Sequence, residues 1–465
     1  MTEFTHYFME ELEGDTLTPI LIYKRMSGRK KFLFESSLKH EKSGRYSFIG
    51  ADPVFELVGE DDKSIVISQE GKKLIREKPL NVIKTLLPKE RLNIIEQFPF
   101  CGGAIGFVGY DAIRQYVDIG KVLYDELEIP DVHFMFFEEL IVFDHLEQKV
   151  YLVGTPLSDK TDRKKIKTQL EKRKIEITLG STESIRTDAV IRTFKASVKK
   201  EVFMERVQKA KEFIENDEVS QVVLSQRLQA DFTGDPFSFY RKLRVKNPSP
   251  YMYYIDFDDY QIVGSSPESL IKVRGEKVST NPIAGTRPRG KTEEEDNELA
   301  IELLHDEKEI SEHLMLLKLG KKDLSQICKQ NTIQVDKEMK IELYKHVMHL
   351  VSEVSGELKK DLTSIDALIA CLPAGTVSGS PKKRAMEIIN EFENVKRGVY
   401  SGAIGYFSVN GNMDFAIAIR TMLIKEEKAF IQAGAGIVQA SIPEKEYEET
   451  LHKLRAFLIE EENYA

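Results

Sequence analysis

Tryptophan is missing from all 465 residues, and only three cysteines occur. Cys101, Cys328 and Cys371 stand far apart and match no metal-ligand spacing. Neither a disulfide framework nor a zinc site is therefore expected, and a reducing cytoplasm suits the chain. No apolar run approaches the length of a membrane span, and the acidic start Met-Thr-Glu-Phe-Thr-His-Tyr-Phe-Met-Glu-Glu lacks a signal-peptide core. A cytoplasmic protein with no membrane partner is expected. No G-x-G-x-x-G is present, which argues against a dinucleotide-binding α/β fold. No convincing Ser/His/Asp set and no Gly-x-Cys-x-Gly elbow exists, so no nucleophile for hydrolysing glutamine is visible. Positive charge is dispersed over a chain of net charge −9 and pI about 5.7, which excludes nucleic acid as an expected partner. Internal repeats and low-complexity tracts are absent.

What remains is ample for a core: 41% of residues are hydrophobic. The length suits about three domains or one large fused body. Residues 15–155 read mainly as strands and turns, at Phe32–Ser36, Tyr46–Gly50, Val54–Val58, His133–Phe143 and Val150–Val153. A lysine-rich helix over 159–175 precedes a linker-like stretch at 179–190. That places a boundary between an N-terminal region, 1–178, and a second region, 191–465. The second region opens with a helix over Lys199–Glu215 and strands at Val219–Leu228, Tyr251–Phe257 and Gln261–Gly264. Thr292 and Glu295 suggest a capping box, and a further helix is expected from Asp306 to about Leu319, stopped by Gly320. Val347–Val354 alternates as a strand, and Asn410-Gly411 joins Val399–Ser408 to Met413–Ile424 as a hairpin. The expected class is α+β, a large mainly antiparallel β-sandwich flanked by helices, with an N-terminal subdomain.

The last forty residues hold the richest pattern. Ala433-Gly-Ala-Gly-Ile437 exposes backbone N–H groups, Gly434 and Gly436 among them, to a carboxylate. Ser441 and Glu444 form an S-x-x-E signal for a helix beginning near Ile442. Glu446 and Glu449 then share one helix face, as do Glu309 and Glu312 in the segment after Asp306. Two such pairs could hold a hard cation such as magnesium; equally, Glu309 could be only a capping partner of Asp306. Arg420 ends Met413-Asp-Phe-Ala-Ile-Ala-Ile, on a face with Ala416 and Ala418, where a guanidinium has space to receive a carboxylate. His349 lies on an apolar strand face and reads as core or as functional. Glu268, in a loop after a strand, would suit a general acid if burial raised its pKa. The small-residue loops Asn281–Gly290, with Thr286, and Pro373–Pro381 read as anion sites or as tight turns.

Taken together these segments resemble the chorismate-utilising enzymes, most closely the anthranilate synthase component I branch. The resemblance runs through Gln221-Val-Val-Leu-Ser-Gln-Arg227, Asn247-Pro-Ser-Pro-Tyr-Met252, Gly264-Ser-Ser-Pro-Glu268, Pro282-Ile-Ala-Gly-Thr-Arg-Pro-Arg-Gly290, Glu312-His-Leu-Met, His346-Val-Met-His-Leu-Val-Ser, Pro373-Ala-Gly-Thr-Val-Ser-Gly, Arg397-Gly-Val-Tyr-Ser-Gly and the C-terminal segment. It implies that Glu309, Glu312, Glu446 and Glu449 surround Mg²⁺, and that Glu268 is the acid protonating a departing 4-hydroxyl. Tyr400, Arg420, Gly434 and Gly436 resemble the site of the pyruvyl carboxylate. Ala284, Gly285, Thr286, Thr376, His349 and Lys453 resemble other pocket positions.

Relatives that add water place a basic lysine where this chain has Gln221. Aminodeoxychorismate synthases commonly place a nucleophilic lysine where it has Ala284. The pairing seen here resembles anthranilate synthase: ammonia adds to chorismate, and pyruvate is eliminated. The implied partner is a glutamine amidotransferase, component II. The resemblance also implies a tryptophan inhibitor site at Glu35, Ser36, Pro248, Ser249, Tyr251 and Met252. One departure stands at Leu316-Leu-Lys-Leu-Gly-Lys-Lys-Asp-Leu324, where the family usually reads Leu-Val-Asp-Leu-x-Arg-Asn-Asp-Leu. Two alternatives stay open: a chorismate converter of the aminodeoxychorismate or isochorismate/salicylate type, and a tryptophan-binding regulator with impaired catalysis.

Overall fold

The computed structural model describes residues 2–3, 7–36, 44–88, 97–158, 161–181, 188–344 and 347–457. Of the linker expected at 179–190, residues 182–187 lie outside the described residues.

Valine, isoleucine and the aromatic side chains alternate along short segments, and these segments pair into two antiparallel sheets of 14 and 12 strands among the described residues. The first sheet runs from Phe8–Glu13 through Lys149–Gly154, Glu139–Asp144, Tyr46–Gly50, Phe32–Glu35, Tyr251–Asp256, Tyr260–Ser266, Thr421–Lys425 and Lys428–Ile437 to Gln221–Thr233. The second runs from Ile283–Pro288 through Val347–Glu357, Lys277–Thr280, Ser269–Arg274, Met413–Ile417, Ala403–Ser408, Gly103–Val108, Val132–Phe137, Phe55–Glu60 and Lys63–Ser68 to Gly71–Ile75. Strands from both sides of the 179–190 stretch share both sheets. Glu35 pairs with Met252 in the first sheet, and Val108 pairs with Ala403 in the second.

The main core lies between the sheets and is rich in phenylalanine: Phe32, Phe107, Phe134, Phe136 and Phe415 are fully buried there. Each such ring removes a large apolar area from water, worth roughly 2–3 kcal/mol. A second core faces outward from the first sheet against helices Pro19–Arg25 and Pro236–Lys246. A third joins helices Lys200–Glu215 and Lys382–Phe392 to the Gln221–Thr233 strand. No described helix is long and apolar enough to cross a membrane. The three cysteines are free and buried.

Three local expectations need correction. The helix from Asp306 does not stop at Gly320; it spans Glu307–Ile327. Leu324 and Ile327 continue its buried stripe, and that burial outweighs a cost of about 1 kcal/mol for one mid-helix glycine. Ser441 and Glu444 do not form a capping box. The helix Pro443–Leu454 takes Ile442 as N-cap with no side-chain bond, while Ser441 Oγ accepts from Val438 N and Glu444 pairs with Lys200. The hairpin at Asn410-Gly411 forms, but its second arm is two strands, Met413–Ile417 and Thr421–Lys425, in different sheets. Arg420, with φ of 47°, lies in the break between them, so it does not share a strand face with Ala416 and Ala418.

Candidate active site

The edge of the first sheet brings Gln221 to the glycines. Val223 pairs with Gly436 and Ser225 with Gly434. A Cβ on Gly436 would lie 2.5 Å from Gln221 Nε2, and one on Gly434 2.8 Å from the Tyr400 hydroxyl. Glycine at both positions is what lets these two side chains lie across the strand. Gln221 is buried; its Nε2 donates to Glu312 Oε1 at 3.3 Å, and its Oε1 has no hydrogen-bond partner among the described residues.

Asp306 caps the next helix by accepting from the N–H groups of Lys308 and Glu309 at 3.0 and 3.2 Å. The cap is therefore supplied by Asp306, and the Glu309 carboxylate is left for other contacts, with Arg287 at 3.6 Å. Burial first, and Glu312 second, raise the Glu309 pKa, while Arg287 opposes them. Glu446 behaves alike: burial raises its pKa, Ser441 holds it down, and Glu449 pushes it up. Lys308 faces Glu446, and Lys453 Nζ meets Glu449 at 2.7 Å. The two pairs do not converge on one point: among the described residues no three Asp, Glu, His or Cys side chains form a metal cluster. These pairs still fit a magnesium ion, because that ion takes only one or two carboxylates from protein and completes its shell with water and an anionic substrate.

Glu268 sits just before a register shift between Ser269 and Ile271. It is buried, and burial pushes its pKa up to about 8, against Thr376, the Ile283 backbone and the charge of Lys453. At neutral pH it is mainly a protonated acid. His349 pairs across the sheet with Thr286, at a bulge where Gly285 has φ of 72°. Its Nδ1 lies 3.0 Å from Thr286 Oγ1 and 3.3 Å from Gly285 O. Burial keeps the imidazole neutral, and Arg420 adds to that effect. Ala284, next to this bulge, is buried.

Arg420 is part-buried, and its guanidinium has no ion pair or side-chain hydrogen bond among the described residues. Burial alone lowers its pKa, with no carboxylate opposing. Burying an unpaired charge costs several kcal/mol, a cost that an anionic ligand would offset. Tyr400 is buried beside Arg397, and Lys453 Nζ donates to Gly434 O at 3.0 Å. Sequence reasoning missed the support around these groups. Fully buried Arg397 binds Glu393, Val223 O and Val377 O, and its guanidinium lies 5.5 Å from the Tyr400 ring. Its motif was visible, but nothing in the spacing pointed to a buried arginine.

A separate cavity of about 640 Å³ opens between the sheets, lined by Phe34, Glu35, Ser36, Tyr251, Met252 and Asp414, among others. Of the six residues expected at an inhibitor site, Pro248 and Ser249 do not line it. The Glu35 carboxylate is tied to Tyr240 and Arg244 instead, at 2.7 Å each. Tyr251 donates to Asp414 Oδ1 at 2.9 Å, and Lys272 meets the other carboxylate oxygen.

A sandwich of two antiparallel sheets that brings together a buried glutamic acid of raised pKa, an arginine with no ion pair among the described residues and carboxylate pairs on two flanking helices has the groups to act on a small anionic substrate. The model of the chorismate binding enzyme family matches residues 29–459. Anthranilate synthase component 1 from Lactococcus lactis is 44% identical over 97% of this chain and 98% of its own. The homologue of that name from Acetivibrio thermocellus is 45% identical over 96% and 93%. The crystal structure of anthranilate synthase component I from Streptococcus pneumoniae superposes with a TM-score of 0.83 at 43% identity, covering 96% of this chain and 98% of that one. The menaquinone-specific isochorismate synthase from Escherichia coli, at 18% identity and a TM-score of 0.73, shares the fold. The chain belongs to the chorismate-binding enzymes and, within them, to the anthranilate synthase component I family.

Proposed function

We propose that this chain converts chorismate and ammonia to anthranilate and pyruvate, the first step of tryptophan biosynthesis, with magnesium as cofactor, an amidotransferase subunit as ammonia source and tryptophan as inhibitor. The observation that carries this reading is a buried Glu268 whose pKa burial raises to about 8, together with a buried Gln221 at the position where relatives that add water place a base.

Arg420 and Tyr400 receive the pyruvyl carboxylate. Glu268 gives its proton to the 4-hydroxyl, which leaves as water with the C4–O electron pair. Gln221 cannot take a proton from water, but its free Oε1 can accept an N–H of ammonia and aim the lone pair at C2. The Nε2 bond to Glu312 fixes that amide orientation. Nδ1–H of neutral His349 donates toward Gly285 O, which leaves Nε2 unprotonated as an acceptor. One or two carboxylates from among Glu309, Glu312, Glu446 and Glu449 would hold magnesium, which would supply positive charge for the ring carboxylate when bound. Alanine at 284 supplies no nucleophilic lysine, which disfavours an aminodeoxychorismate product.

The test is product identity. The pure chain, given chorismate, Mg²⁺ and an ammonium salt, is expected to yield anthranilate, and to ignore glutamine until an amidotransferase subunit is added. Isochorismate, salicylate or aminodeoxychorismate as the main product would overturn the reading. Feedback has its own test. Ser36→Ala should weaken tryptophan inhibition about tenfold, the worth of one charge-assisted hydrogen bond, and leave uninhibited turnover intact. Wild-type enzyme indifferent to tryptophan would refute the inhibitor site.

A further inference from the structure

Behind Glu268 lies a second, much smaller cavity of about 40 Å³, bounded by Ser269, Leu319, Gly320, Asp323 and Thr376. One water molecule occupies about 30 Å³ of liquid, so the space admits one or two. Its walls offer them partners. Thr376 Oγ1 lies toward Glu268 and Ser269 Oγ toward Tyr251, but neither buried oxygen meets the distance and angle of a hydrogen bond among the described residues, which leaves both hydroxyls for water. Glu268 and Asp323 both line this cavity.

Asp323 lies on the Glu307–Ile327 helix, one turn past Gly320, with its side chain 14% exposed and Lys382 Nζ at 2.8 Å. Asp323 and Leu319 also line a second, far larger groove of about 1070 Å³ that contains Gln221 and Glu312. Asp323 therefore stands in the wall between the space behind Glu268 and the broad groove. The groups facing it are Lys382, Lys322 and Cys371; those facing Glu268 are Thr376, the Ile283 backbone, Lys453 and Tyr344. Burial raises the Asp323 pKa against the pull of Lys382, so this carboxylate takes a proton more readily than an exposed one.

The reading of Glu268 as general acid creates a need. Each turnover strips its proton, and it is buried. We propose that Asp323 is the relay that returns protons to Glu268 from the groove, through water held in the small cavity by Ser269 and Thr376. Glu268 O–H transfers its proton to the leaving hydroxyl. The resulting carboxylate takes a proton from cavity water, that water takes one from Asp323, and Asp323 is recharged from solvent. The ammonium formed at C2 releases its proton to solvent, so no proton is gained or lost overall. Asp323 touches no reacting atom and is a positioning and relay residue.

The competing role is structural, an ion pair pinning the helix to Lys382. Asp323→Asn keeps the shape and removes the acid. Its kcat with ammonium salt is expected to fall about tenfold, with KM for chorismate unchanged, and the solvent deuterium effect on kcat to grow. Raising the concentration of a small weak-acid buffer, at fixed pH and ionic strength, should restore much of the rate, as should Asp323→Glu without added buffer. A second variant leaves the ion pair alone. A Cβ on Gly320 would have Thr280 Cγ2 at 3.3 Å as its near neighbour, a close contact with the end of a side chain that a small shift relieves, so Gly320→Ala places a methyl in the wall of the cavity. It should slow kcat without rescue by buffer. A kcat loss in Asp323→Asn with no buffer dependence, or wild-type kcat in either variant, overturns the relay. Wild-type enzyme making no anthranilate would instead defeat the reading of the chemistry.

Discussion

Glu268→Gln should cost about 10²–10⁴-fold in kcat, the usual worth of a positioned general acid, with little change in KM for chorismate. Glutamine matches the shape and can still donate N–H bonds, but it cannot release a proton to the departing oxygen. The pH dependence carries a sign. The acid works only when protonated, so kcat measured at constant free ammonia should fall as pH rises through about 8. The same group makes a parallel claim on stability. Its pKa in the folded chain, about 8, lies above the ordinary 4.5. Its contribution is therefore fully present below pH about 4.5 and is lost as pH rises through about 8, for a total on the order of 5 kcal/mol. Glu268→Gln carries no buried charge at any pH. It should melt above wild type at pH 9 and near it at pH 5. An inactive variant with no such difference in melting would leave Glu268 catalytic but not buried and neutral; an active variant would remove it from the reaction.

Much of the fold was legible because strand alternation and turn chemistry are local. The Asn410-Gly411 hairpin and the Val347–Glu357 and Gln221–Thr233 strands stand close to where periodicity puts them. What failed were places where tertiary packing overrode a local signal. Gly320 has the right residue type for a helix end, but Leu324 and Ile327 have a core to fill. Met413–Ile424 alternates without interruption, yet its two ends serve different sheets, and only coordinates reveal the left-handed turn at Arg420. Within the site, residue identities were readable from motif resemblance, whereas protonation states were not. The acidity of Glu268 depends on being surrounded, and the freedom of Arg420 depends on what does not reach it. The same holds for Glu35, whose carboxylate turns out to be occupied by Arg244.

Chelation should abolish turnover. In excess EDTA the conversion of chorismate is expected to stop, and added Mg²⁺ should restore it. Glu309 and Glu446 sit half-buried, each beside a second carboxylate that raises its pKa. In the free chain Lys308 and Lys453 offset part of that negative charge, but a lysine cannot bridge a carboxylate of protein to a carboxylate of substrate as a hard cation does. Glu449→Gln keeps the volume and deletes one charge. Loss of an electrostatic contact to the reacting substrate costs about 10²-fold or more, so this variant should fall by that factor. Protons compete with the cation for the same oxygens, so the Mg²⁺ concentration needed for half-maximal rate should rise as pH falls through the raised pKa values of Glu309 and Glu446. Chorismate binding followed without turnover, by omitting ammonia, should show the same Mg²⁺ requirement. Full activity in EDTA, or Glu449→Gln within threefold of wild type, would show that the two acidic pairs serve only their helices, and that Arg420 and Lys453 suffice to hold the substrate's carboxylates.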